Sequence, residues 1–329
     1  MKLHVTEYGR IPEEKPWSVW EQVLDGRVRY SVFQTPLWSN VLDLTIPGAR
    51  PCHYWLRFSD ESEAVLPLFS CKKKFGLSKL ESLPWGTYGD LIGNKEITLD
   101  HRIAAASKIV SLFKPLCEIT VSPTNMNTIP TINMEIKEPH IQECTTHILA
   151  LGDSFEEIWM NQFQARNRTA IRRARDKGVI VTWGNDAECA AALQYLYKNA
   201  TQRWEGVETL PAKFFEHIGD MPEDQVRIWL ARYEERILAA DVILYGREEV
   251  QYFAGAGDPE FSEYNASKLM MAEIIRDACE RGFKVFNFGS SGGLKGVERF
   301  KHIFGGQTQK YARLRFTSPW LSKIQTILD

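Results

Sequence analysis

The run Asn287-Phe-Gly-Ser-Ser-Gly-Gly-Leu-Lys-Gly-Val-Glu-Arg-Phe-Lys-His-Ile-Phe-Gly-Gly306 reads as the end of a strand, a glycine-rich turn and a short helix. Consecutive glycines let backbone N–H groups surround an anion, so Gly289 to Gly296 looks at first like a phosphate loop. It fails as a Walker loop, because Lys295 precedes Gly296 and no Ser or Thr follows. Helical spacing puts Val297, Phe300 and Phe304 on one face, which makes part of the segment core. Lys301 falls beside that face. An ammonium there can steady the oxyanion of a tetrahedral acyl-transfer intermediate; a solvated helix lysine is the plainer reading.

Outward from this segment the plan is α+β. Upstream, a helix from Ala266 to Arg281 stops at Gly282, and Lys284 to Phe288 follows as a strand. Before it, Val226 to Tyr233, Ile237 to Tyr245 and Val250 to Ala256 predict consecutive antiparallel strands joined by polar turns. Ala254-Gly-Ala-Gly257 runs into Asp-Pro-Glu and not into a helix, so the dinucleotide fingerprint is absent. Asp153-Ser-Phe-Glu-Glu carries capping-box spacing into one long helical region ending at Gly178. Val179 to Trp183 predicts a strand, Ala187 to Trp204 a helix, and Tyr311 to Phe316 a last strand.

The first half opens with short helices at Pro16 and Pro36, the second capped by Thr35. His53 to Phe58 and Ala64 to Phe69 predict a hairpin, with Pro67 marking an edge or a bulge. A Gly- and aromatic-rich bend at Ser82 to Gly89, a helix over His101 to Leu112 and a strand from Cys117 follow. Pro123 to Pro139 is the only long turn-like stretch, ahead of the strand Thr145 to Leu151. These shifts divide the chain into domains 1–145 and 146–329, a length at which two cores are comfortable.

The formal net charge of −2 excludes a global field for polyanions. No secretory leader or membrane-length apolar run is written, so a cytoplasmic protein is expected. The six cysteines have no paired spacing, and His53, His147 and His302 stand isolated, so no metal site is expected.

Five pieces in order resemble the FemAB family of tandem acetyltransferase-like (GNAT-like) enzymes. They are Ser82-Leu-Pro-Trp-Gly-Thr-Tyr-Gly89; Arg166-Asn-Arg-x-x-Ile-Arg-Arg-Ala-Arg-x-x-Gly178; Tyr252-Phe-Ala-Gly-Ala256; Arg281-Gly282 with Val285-Phe-Asn-Phe-Gly289; and Gly296-x-x-x-Phe-Lys-x-x-Phe-Gly305. The resemblance implies two tandem GNAT-like domains with mixed, mostly antiparallel sheets. It also implies transfer of an aminoacyl group from aminoacyl-tRNA to the stem peptide of a cell-wall precursor. It places Phe300 and Lys301 at the transfer centre, with the lysine balancing charge on the ester carbonyl. Thr201-Gln-Arg203 matches a Thr-x-Arg whose arginine grips a precursor phosphate, and Tyr252 matches a tyrosine lining the acceptor site. Trp85, Tyr88 and Asn287 join them as substrate-binding candidates.

The chain departs from that pattern in places. It has no long charged heptad segment to serve as a tRNA-binding arm. Asp90 directly follows Gly89 and Gly93 sits where the family's acid is sought, so the family's general base has no counterpart at that place and substrate or water is the other route for the acceptor amine's proton. Lys72-Lys-Lys74 reads as a solvated cationic run. Arg168, Arg172 and Arg175 fall on one helical stripe, with Arg166 and Arg173 on a second. Like charges at that spacing repel by about 0.2–0.5 kcal/mol per pair, so tRNA phosphates, coenzyme phosphates or acidic residues of the other domain are the partners to look for, with partnering within the fold as the plainer reading.

No tightly bound cofactor is expected; the donor is aminoacyl-tRNA or acyl-CoA. The Arg/Gln-x-x-Gly-x-Gly/Ala loop of a CoA enzyme is missing between Gly255 and Ser267, which favours the tRNA ester. A CoA-dependent N-acyltransferase of exopolysaccharide or natural-product assembly is the alternative, and a non-catalytic binding protein on the same fold is the third reading.

Overall fold

The computed structural model describes residues 3–11, 16–25, 30–72, 78–112, 116–123, 140–203 and 209–317. The Pro123 to Pro139 stretch beyond its first residue, and Lys73 and Lys74, lie outside the described residues. The chain forms two compact units, Met1–Cys144 together with Lys310–Asp329, and Thr145–Gln309.

The first unit holds strands β1 (Val5–Arg10), β2 (Ala49–Pro51), β3 (Tyr54–Phe58), β4 (Glu63–Leu66), β5 (Phe69–Lys72), β6 (Ser78–Glu81), β7 (Ile92–Gly93) and β8 (Leu116–Thr120). Its helices are α1 (Pro16–Asp25), α2 (Pro36–Thr45) and α3 (Leu99–Leu112). Thr35 caps α2 as the sequence predicts, its hydroxyl accepting from Trp38 N at 3.3 Å. One sheet runs β1-β3-β4-β7 and a second runs β8-β6-β5-β2. Pro67 is neither on an edge strand nor in a bulge. The ladder of β4 ends at Leu66, and β5 starts two residues after the proline in the other sheet. A residue without an N–H is suited to that step between sheets.

The second unit contains β9 (His140–Ala150) from Thr145 onward, α4 (Phe155–Asn161), α5 (Ala165–Asp176), β10 (Ile180–Gly184), α6 (Ala187–Thr201) and α7 (Ala212–Ile218). It continues with β11 (Val226–Tyr233), β12 (Arg236–Tyr245), β13 (Glu249–Gly257), α8 (Ala266–Glu280), β14 (Val285–Asn287) and α9 (Lys295–His302). Its sheet order is β10-β11-β12-β13-β14-β9, antiparallel throughout except for the parallel pair β13 and β14. The helix α8 buries Leu269, Met270, Met271, Ile274 and Ile275 in the main core and stops before Gly282 at φ +79°.

Three local expectations change. The final strand, β15 (Gln307–Thr317), packs with the first unit from Lys310, because Arg313 to Thr317 pair antiparallel with β8; the expected division at 146–329 had kept it with the second. The long helix ending at Gly178 is two helices. The break puts Phe163 into the core, its ring 5.0 Å from that of Phe304. The capping box at its start does not form, and Ser154 Oγ donates to Glu156 instead. The short helix α7, which buries Phe214, Phe215 and Ile218, carried no periodic signal long enough to predict it.

Among the described residues no helix is long and apolar enough to cross a membrane.

Candidate functional site

The site grows from the place where β13 and β14 part. Their ladder pairs Glu249, Val250 and Gln251 with Val285, Phe286 and Asn287, and β13 then runs on to Gly257 while β14 ends. A wedge opens there. Asn287 is fully buried at its mouth, its Oδ1 accepting from Thr146 Oγ1 at 2.7 Å and from Gly289 N at 2.9 Å. The second of these bonds bends the chain into the turn. Gly289 has φ +74°, and a β-carbon there would lie 3.2 Å from Gln251 Nε2 and 3.3 Å from the Tyr252 carbonyl oxygen. Only glycine meets both conditions without strain.

The turn's carbonyls aim at Lys301. Its Nζ donates to Gly289 O at 2.8 Å and to Ser290 O at 2.7 Å, and the residue is only 2% exposed. The reading of a solvated helix lysine does not hold. Loss of solvation brings its pKa from 10.5 down to about 7. As an ammonium, Lys301 has a third N–H to give; as an amine, its two hydrogens are already placed. Phe300, its neighbour, is half-buried against the core with its ring 5.2 Å from that of Phe304. That is a packing position.

Tyr252 follows Gln251 on β13, so it is adjacent to the turn through its own carbonyl. Its hydroxyl donates to Asp241 Oδ1 at 3.4 Å, and burial followed by Asp241's charge pushes the phenol pKa up. Asp241 is a buried carboxyl in the apolar strand β12, and burial raises its pKa to about 8. Gly255 stands opposite it, where a β-carbon would overlap Asp241 Oδ1. The sequence reading passed over this acid. Its signal was a carboxylate in the middle of Ile237-Leu-Ala-Ala-Asp-Val-Ile-Leu-Tyr245.

The other candidates divide by location. Thr201 is buried at the end of α6, donating to Lys198 O and sharing a 2.8 Å hydrogen bond with Thr209. Arg203, two residues on, is exposed. The same helix brings Tyr197 close enough for its phenol to raise the Tyr252 pKa further. Trp85 and Tyr88 belong to the first unit. Trp85 is on a bend at φ +62°, and Tyr88 is buried with its ring 5.4 Å from Tyr311. Asp90 accepts from Gln34 Nε2 at 3.0 Å, and a β-carbon on Gly93 would overlap the Ile97 side chain, so no acid fits there.

The arginine stripe is largely used within its own unit. Arg168 Nη1 donates to the Trp159, Met160 and Phe163 carbonyls and so closes the end of α4. Arg172 stacks over Trp159, and Arg175 pairs with Glu273. Arg166 and Arg173 are exposed on α5. The loop before α8 carries Asp258, Glu260 and Glu263, with Pro259 lacking an N–H.

His147 and His302, isolated in sequence, come together with rings 4.9 Å apart. His147 is held below the ordinary imidazole pKa by burial first and by the nearby Lys301 charge second. With Glu298 they make a group that could hold a metal ion.

Residues 161–302 match the family described as Acetyltransferase (GNAT) domain. That stretch, which lies within the second unit, is similar to an acetyltransferase domain. The fold extends beyond it: FemX is similar at a TM-score of 0.71 with 14% identity, over 98% of this chain and 100% of that one. The C-terminal domain of a putative lysylphosphatidylglycerol synthetase from Agrobacterium fabrum is similar at 0.61 with 10% identity, over 94% of each chain. A tandem GNAT protein from the clavulanic acid biosynthesis pathway is similar at 0.55 with 10% identity, over 96% of this chain and 99% of that one. No curated protein matches by sequence. The α+β tandem GNAT-like fold expected from the sequence is therefore matched over nearly the whole chain, and the expected resemblance to FemAB-type proteins has a fold likeness to FemX beside it.

Proposed function

We propose that this acyltransferase moves an aminoacyl group from the ester of an aminoacyl-tRNA onto an amine of a cell-wall precursor. The observation that carries the reading is Lys301, buried and held by the Gly289 and Ser290 carbonyls, with no third acceptor for its ammonium among the described residues. The acceptor amine attacks the ester carbonyl carbon, and the oxyanion that forms takes that third N–H. The amine's surplus proton passes through the Tyr252 hydroxyl to Asp241, whose raised pKa suits it to accept from an ammonium and return the proton. The C–O bond then breaks, and the departing ribose oxygen takes the proton from Asp241. An amide and a free tRNA 3′ end remain.

Two features support the tRNA ester over a CoA thioester. The likeness to FemX spans the whole chain. The loop before α8, where a CoA enzyme offers backbone amides to a pyrophosphate, instead carries Asp258, Glu260 and Glu263. Arg166 and Arg173 are the exposed cations on α5 left for tRNA phosphates, and Arg203 is the exposed one at the end of α6 for the precursor. The acetyltransferase description of residues 161–302 favours the CoA donor as the second reading.

The test is transfer of radiolabel from a mixed pool of aminoacyl-tRNAs, and separately from acetyl-CoA, to a UDP-muropeptide. Label moving from tRNA in the wild type and not in Lys301→Met supports the proposal. Label moving only from acetyl-CoA establishes the second reading, and equal transfer by Lys301→Met removes the mechanism.

A further inference from the structure

Two histidines and a glutamate that no step of the transfer uses converge within the second unit. One ligand atom from each of His147, Glu298 and His302 lies within 4.8 Å of the other two. His147 comes from β9, whereas Glu298 and His302 are one turn apart on α9. The two imidazoles meet edge to face, at 84°.

Each ring is anchored by one nitrogen and leaves the other. His302 Nδ1 is 2.7 Å from Gly306 O. Against a carbonyl that nitrogen must carry the hydrogen, so Nε2 keeps its lone pair, 3.8 Å from Glu298 Oε1. His147 is 2% exposed, with Nδ1 3.4 Å from Ser291 Oγ. Its Nε2 is buried and has no hydrogen-bond partner among the described residues. A buried imidazole nitrogen left unpaired is costly, and it needs an explanation beyond packing.

We propose that His147, Glu298 and His302 form a zinc site with an open fourth position. Two imidazoles and one carboxylate are a donor set suited to Zn²⁺, and three protein ligands leave a position for water or a substrate oxygen. Zinc bonds of about 2.0–2.2 Å set tetrahedral ligand atoms roughly 3.3 Å apart, closer than the present spread. The side chains of Glu298 and His302 are 50% and 41% exposed on one short helix, which supplies the freedom to close. The ion ties α9, which carries Lys301, to β9 across the Gly289 to Leu294 turn. The backbone bond from Gly306 orients His302 in the way outer-shell acceptors orient ligating histidines.

The test uses untagged full-length protein, stripped with a chelator and dialysed against Zn²⁺, with bound metal counted by mass spectrometry. Affinity is measured by competition with a chromogenic chelator. One zinc per chain is expected, with affinity at least about tenfold weaker in Glu298→Gln and His302→Gln. Those positions are partly exposed, so both variants keep the fold, as circular dichroism checks, and His147→Ala is read only where it does too. Cobalt substitution should give the visible absorption of a four-coordinate ion in the wild type and lose it in His302→Gln. A wild type that retains no zinc, or zinc retained with equal affinity in both variants, overturns the site.

Discussion

Lys301→Met separates the energetic cost of the buried amine from its chemistry. In the folded protein Lys301 loses its proton near pH 7, where an unburied lysine keeps it to 10.5. Between those values the unfolded chain binds more protons, so stability rises with pH through this window; the full penalty is present below pH 7. The whole interval is worth roughly 5 kcal/mol, at about 1.4 kcal/mol for each pH decade. Methionine removes the titration but leaves the Gly289 and Ser290 carbonyls without their donor, at about 1–3 kcal/mol each. Near pH 7 the two effects therefore offset each other, and the variant should be close to wild type in stability. Above it they separate, because only the wild type recovers. From pH 7.5 to 9.5 the wild type should gain about 2.5 kcal/mol on Lys301→Met, read from urea unfolding of both proteins at each pH. A difference that stays constant over that range refutes the desolvation argument, whatever the variant does to transfer.

Asp241→Asn should lower the transfer rate by about a hundredfold or more. Transfer needs Lys301 protonated and Asp241 ionised, so wild-type activity should peak between about pH 7 and about pH 8 and fall on either side, and a wild-type pH–rate profile flat from 6.5 to 9 counts against the pair. The same variant should be the more stable protein at pH 8. A folded carboxyl pKa raised from 3.8 to about 8 removes stability as pH rises through that window, and asparagine has no proton to lose. Gly255→Ala should cost about 1–3 kcal/mol in thermal unfolding and reduce transfer, since its β-carbon overlaps Asp241 Oδ1 and lies 2.8 Å from Ala240 O. Arg166→Ala and Arg173→Ala together should weaken tRNA binding and flatten its salt dependence, measured by filter binding, with melting unchanged. Arg168→Ala should instead lower the melting temperature, because three carbonyls at the end of α4 lose their donor.

The sequence by itself determined the strands of the second unit, its helices apart from α7 and the break between α4 and α5, and the turn that shapes its site. Hydrophobic period, caps and glycine stops are local properties, and β11, β12, β13 and α8 lie where those signals place them. It also carried the motifs from which the tandem fold was legible, now matched by full-length structural likeness. What it lacked were relations across long separations. Lys301 reads in sequence as a residue beside an apolar face; it is buried because carbonyls 11 and 12 residues earlier fold back onto its Nζ. Asp241 becomes a candidate base only when the β12–β13 register, with its irregularity after Val242, brings Tyr252 within reach. His147 and His302 are 155 positions apart in number and adjacent in space. The last strand went to the first unit because Arg313 pairs with Thr120, a choice made by backbone hydrogen bonds and not by side-chain pattern. Burial, and the pKa values that follow from it, are properties of what surrounds a residue, and only the tertiary structure supplies the surroundings.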